Sequence, residues 1–149
     1  TYGKELNSPM DGIVYGFAVG IGFFAMENFF YFLEYGFEDL VVRSLLCWGH
    51  GVYTATTGLW LAIARIIRGK TRVVDILPGL FVAIFLHFLW NGWGAWFGLL
   101  GEEFLELAGQ IIFVQAVLQM VYLFRVIEEA IRDETLWGYT IGKAPVENG

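Results

Sequence analysis

Glu27 and Asn28 stand side by side in the apolar run GFFAMENFF at 22–30, and no charge occurs between Gly12 and Met26. His50 lies in WGHG, and His87 and Asn91 share the segment HFLWN. A buried charge without a partner costs several kcal/mol, so such residues inside apolar segments are paired or functional. A carboxylate and two imidazoles brought to one point form a metal-ligand set. Zinc at catalytic sites often takes three nitrogen or oxygen ligands and leaves the fourth position to water, which then turns acidic enough to attack near neutral pH. Asn28 or Asn91 would donate to a developing oxyanion. Two other chemistries use the same residues. Glu27 bonded to His50 or to Arg43 would tie helices together as a satisfied polar cluster. His50, flanked by glycines, and His87 could instead be ligands of haem or of a chlorophyll-type pigment.

Whether these residues can meet depends on the elements that carry them. The chain has 149 residues, of which 57% are hydrophobic, 18% aromatic and only 16% charged, with a mean hydropathy of +0.60. An average soluble protein is about a quarter charged. Several stretches of near-uncharged sequence are long enough to cross a bilayer, which takes about 20 apolar residues. The expectation is an all-α polytopic membrane bundle, a single domain over 1–149. Its four transmembrane helices fall at about 9–33, 40–67, 76–97 and 104–127, with a charged cytoplasmic tail at 128–149. Ser8 suits an N-cap, Pro9 the first helical position and Asp11 the positive helix end. The connections EYGFED, RGKTRVVD and LLGEEF are short, so successive helices run antiparallel.

Depth then follows from about 1.5 Å of rise per residue. Glu27 lies about 10 Å below the end marked by Glu34, His50 about 10 Å beyond Arg43, and His87 roughly 10–17 Å before Gly94 and Gly98. His87 and Asn91 are four apart and share a helix face. Three candidate ligands on three helices therefore reach one layer in the outer half of the membrane.

Arg65, Arg68, Lys70 and Arg72 cluster between the second and third spans, which places that loop and both termini in the cytoplasm. Of the 9 basic residues, Arg43 alone falls on the outer side. No basic patch points to nucleic acid, and the single cysteine, Cys47, excludes an internal disulfide and reads as packing. Gly12, Gly16 and Gly20, spaced by four, form a ridge that lets another helix approach closely. EEAIR at 128–132 imitates a catalytic diglutamate but lies at the cytoplasmic end, where Glu128 and Arg132 would pair at i,i+4. EEFLE at 102–106 reads as an acidic loop opening the fourth span. Gln110, Gln115 and Gln119, and Thr54, Thr56 and Thr57, complete the intramembrane polar set.

Together, SPMDGIVYGFAVGIGFFAMEN, the later R…WGHGVYTATTG and HFLWN resemble the PrsW family of intramembrane metalloproteases, glutamate-dependent enzymes related to the CAAX prenyl endopeptidases. The resemblance implies an active site with four parts: a diglutamate EExxK on a preceding helix, the FxxxEN segment (Phe23, Glu27, Asn28), the histidine of the second span (His50), and HxxWN (His87, Asn91). It implies that Glu27, His50 and His87 hold zinc and that the diglutamate is the general base. It also implies cleavage of a membrane-anchored protein, such as an anti-sigma factor, on its extracytoplasmic side, in a prokaryotic plasma membrane. No EExxK precedes the first span, so proteolysis by these residues is expected to be lost or very weak. The chain would then be part of a longer protease, or a short relative acting as a non-catalytic subunit of a larger membrane complex with no cofactor.

Overall fold

The fold is described from a computed structural model, which places residues 6–37, 43–44 and 48–137; among these there is no strand. Four long helices are defined: α1 Pro9–Tyr35, α2 Gly49–Arg68, α3 Leu77–Leu100 and α4 Leu105–Trp137. Single 3₁₀ turns, Val73–Ile76 and Glu102–Phe104, lead into α3 and α4.

α1 begins as its sequence dictates. The Ser8 hydroxyl accepts from the Asp11 amide at 3.1 Å, and the Asp11 carboxylate accepts from the amides of Ser8 and Asn7 at 3.0 and 2.8 Å. α2 stops at Gly69, whose left-handed φ of 69° lets its amide bond the Arg65 carbonyl at 2.7 Å. The chain then turns through Asp75. Its buried carboxylate accepts from the Arg72 amide at 2.7 Å and pairs with Arg68 at 2.5 Å, fixing the basic loop between α2 and α3.

Among the described residues three helical segments, not four, are long and apolar enough to cross a membrane: Pro9–Tyr35, Val73–Leu100 and Glu102–Arg132. This corrects the expectation of four spans. Part of the expected second span lies outside the described residues, as does Cys47. The part that is described, α2, carries His50, three threonines and two arginines in 20 residues. Its polarity has a physical reason. α2 is the central helix, packed against α1, α3 and α4, with nine buried positions, so little of it has to dissolve in lipid. The flanking helices show the converse pattern. Val19, Phe23, Phe30, Phe81, Ile84, Phe88, Phe113 and Leu118 are all exposed, as expected where the surrounding solvent is hydrocarbon.

The interior is built of small residues: Ala55, Ala62, Ala64, Ala83, Ala108, Ala116 and Ala130 are buried. The glycine ridge of α1 is the seam against α2. A methyl group added at Gly12 would meet the Gly58 carbonyl, at Gly16 the Thr54 carbonyl, and at Gly20 the His50 carbonyl. Each step of four along α1 is thus a step of four back along α2.

α4 continues through EEAIR to Trp137, well past the expected end of the span at 127. Ala130 packs with Ile13, about 21 Å along α1 from Glu27, so this diglutamate is remote from the polar layer. Glu128 reaches back to Arg125, 3.6 Å away, rather than to Arg132. Both side chains are more than two-thirds exposed, and a pair of this kind contributes little to stability.

Candidate metal centre

Glu27 comes from the second half of α1, His50 from the first turn of α2 and His87 from the middle of α3. One potential ligand atom from each lies within 4.8 Å of the other two, close enough for a single ion to be shared among them. His50 is buried, its side chain 7% exposed, and Glu27 and His87 are half-buried. The two imidazoles meet edge to face with ring centroids 4.6 Å apart. Glu27 Oε2 stands 3.5 Å from His50 Nε2. Aromatic rings wall the group: Phe23 lies against both imidazoles, Phe24 stacks on His50, and Tyr53 stacks on His87.

Borderline donors of this kind, two imidazoles and a carboxylate, are those of catalytic zinc sites with three protein ligands. The residues present therefore fit a metal. They do not fit a macrocycle held between the two histidines. Axial ligands on opposite faces of haem are separated by the ring and two metal–nitrogen bonds, and centroids 4.6 Å apart leave no such gap.

The two asparagines play different parts. Asn91 is exposed, and its side-chain amide lies 3.0 Å from His87 Nε2. In one tautomer the amide donates to that nitrogen; in the other, with the amide turned over, its oxygen accepts the Nε2 proton. The second arrangement leaves Nδ1 as the free lone pair, as metal-binding imidazoles require. Asn28 is buried at 6% exposure, and its Oδ1 accepts from Arg43 Nε at 3.2 Å. Its two amide protons keep their capacity to donate.

Arg43 donates through Nη2 to Glu27 Oε2 at 2.7 Å, so of the two partners the sequence offered this carboxylate, the arginine makes the hydrogen bond. A reading of the sequence misses the second grip of Arg43, on Asn28. It also misses Tyr53, which joins α2 to α4. Its hydroxyl accepts from Gln119 Nε2 at 2.6 Å and from Gln115 Nε2 at 3.4 Å, and Gln115 Oε1 accepts from Trp93 Nε1 at 2.9 Å. A tyrosine amid many aromatics gives no periodic signal of its own. Of the remaining polar residues, Thr54, Thr56 and Thr57 bond carbonyls one turn back on α2, and Gln110 is exposed. None of them enters the cluster.

The chain matches the profile of the PrsW family intramembrane metalloproteases over residues 1–127. It therefore belongs to that family. It is 39% identical over 80 residues to the Protease PrsW of Bacillus subtilis, covering 52% of this chain and 36% of that protein. With the Protease PrsW of Halalkalibacterium halodurans the identity is 33% over 88 residues, 58% of this chain and 40% of the relative. With that of Geobacillus kaustophilus it is 30% over 103 residues, 64% and 45%. The alignments thus span about two-fifths of the length of these curated relatives. No solved structure matches the chain. Family membership and three membrane-length helices make this an integral membrane protein whose relatives are bacterial.

Proposed function

We propose that Glu27, His50 and His87 hold a divalent metal, best matched by zinc, at which a peptide bond of a membrane-anchored protein is hydrolysed. The observation that carries this reading is the convergence of three ligand atoms from three helices within 4.8 Å. The metal, when bound, supplies Lewis acidity and an acidified water. The chain's own residues orient and shield the site. Asn91 fixes the tautomer of His87. Asn28, held by its oxygen, offers amide protons to the carbonyl oxygen as it gains charge. Phe23, Phe24 and Tyr53 keep lipid and bulk water off the imidazoles, in a setting where each electrostatic contact is strengthened.

A general base completes the reaction, and the resemblance assigns it to EExxK. Residues 1–149 on their own are then expected to hold metal but to cleave about two to four decades more slowly than a protein that also carries that helix, the usual contribution of a general base. The direct test reconstitutes the protein in liposomes with a single-pass substrate. Cleavage that stops with chelator and returns with zinc supports the reading. Cleavage indifferent to chelator contradicts it. The Arg43–Glu27 pair favours a second reading, a cluster that only ties helices together, and this predicts no metal and no hydrolysis.

The same proposal has α2 cross inside the bundle beside the three apolar helices, which puts the cluster in the extracytoplasmic half, with the 65–72 loop and both termini in the cytoplasm. Trypsin added to inverted vesicles should cut in that loop and in spheroplasts should not; the reverse pattern would turn the topology over.

A further inference from the structure

Arg43 grips one turn of α1 in three ways. Its Nη2 donates to Glu27 Oε2 at 2.7 Å, its Nε donates to Asn28 Oδ1 at 3.2 Å, and its Cζ lies 3.5 Å from the centroid of the Tyr31 ring. Glu27 and Tyr31 are one helical turn apart and face the same way. The guanidinium is thereby fixed along its edge by two hydrogen bonds and across its face by an aromatic platform. An ion pair that merely held two helices would need the Glu27 contact alone. The side chains of Arg43 and Glu27 are 19% and 20% exposed, so solvent screens the pair little compared with one on a water-facing surface.

From this we infer that Arg43 is the positioning residue of the metal centre, holding the Glu27 carboxylate in place as a ligand and keeping it from closing onto His50. The inference rests on the metal-centre reading above. His50 Nε2 already stands 3.5 Å from the oxygen that Arg43 holds. Without the guanidinium, that imidazole remains a polar partner within reach of the carboxylate. A Glu27–His50 hydrogen bond would then occupy one ligand atom from each and compete with the ion. With Arg43 in place, one carboxylate oxygen is taken up from the outer side. An ionised carboxylate offers about four lone-pair sites, so the group retains capacity for a metal. Lysine cannot substitute, because an ammonium has neither the planar fork nor the stacking face.

The test uses the full chain in detergent, titrated with Co²⁺ and followed by its visible d–d absorption, together with thermal unfolding of the metal-free protein. The variants are Arg43→Met, Arg43→Lys and His50→Ala. Wild type should bind one Co²⁺. Arg43→Met should weaken binding about 10–100-fold, the usual cost of losing a partner that orients a ligand, and should change the band shape. Arg43→Lys should unfold close to wild type yet fail to restore affinity; if the Met variant does not fold, this one decides. Binding by either Arg43 variant at wild-type strength or tighter, with an unchanged band, overturns the role of Arg43 while leaving the metal centre standing. Absence of Co²⁺ binding by wild type, or equal binding by His50→Ala, sinks the metal centre itself and this role with it.

Discussion

Replacing His87 by alanine is expected to abolish metal retention and, with it, proteolysis, while leaving the bundle folded. His87 is the one donor that α3 contributes to the group; without it Glu27 and His50 are two ligands on the adjacent helices α1 and α2. The loss should exceed the ~10–100-fold that follows from disturbing an outer-shell partner. Asn91→Ala is the matched comparison, since it removes only the group 3.0 Å from His87 Nε2 and should fall inside that range. Glu27→Gln should behave like His87→Ala, because an amide is a poor metal ligand and carries no charge. Metal content per chain, measured beside cleavage of a single-pass substrate, checks all three. An Asn91→Ala protein as empty as His87→Ala would mean that the ligand assignments are wrong.

The second large effect belongs to packing. Gly20→Val should destabilise the fold by about 1–3 kcal/mol or more, the range for overpacking. The upper end is expected because the added carbons would meet backbone: the His50 carbonyl, with the Thr54 hydroxyl beside it. A flexible side chain could swing aside, but a helix backbone cannot. The consequence reaches the site, since the same seam sets the distance from Glu27 to His50. Gly20→Val should therefore lose metal as well as stability. Gly22, two residues along, has nothing within 4 Å of an added methyl. Gly22→Ala should unfold at or slightly above the wild-type temperature, since alanine is favoured over glycine in a helix by about 0.5–1 kcal/mol. Equal unfolding midpoints for the two variants would contradict the seam.

The contrast between those glycines shows what a sequence conveys and what it withholds. Spacing by four marked Gly12, Gly16 and Gly20 as a close-packing ridge, because a helix repeats nearly every four residues and small side chains there have a single mechanical use. The same rise per residue placed Glu27, His50 and His87 at one depth. It did not say that they face one another, which depends on helix rotation, and rotation is fixed by the α1–α2 seam. The number of membrane-length helices was over-read for a related reason. A window of hydropathy assumes that each helix meets lipid, whereas α2 is wrapped by its neighbours and can carry His50 and three threonines. Arg43 was legible as a candidate partner of Glu27, yet its contacts with Asn28 and Tyr31 come from tertiary placement. The Tyr53 network likewise depends on Gln115 and Gln119, more than sixty residues away.

The most direct test of the metal centre is X-ray absorption at the metal edge of the purified, zinc-loaded protein. Two imidazole nitrogens and at least one carboxylate oxygen in a four-coordinate shell, with an imidazole signal lost in His87→Ala, is the expected result. A protein that takes up no stoichiometric zinc, or a shell whose imidazole signal is unchanged when His50 and His87 are both removed, would contradict it.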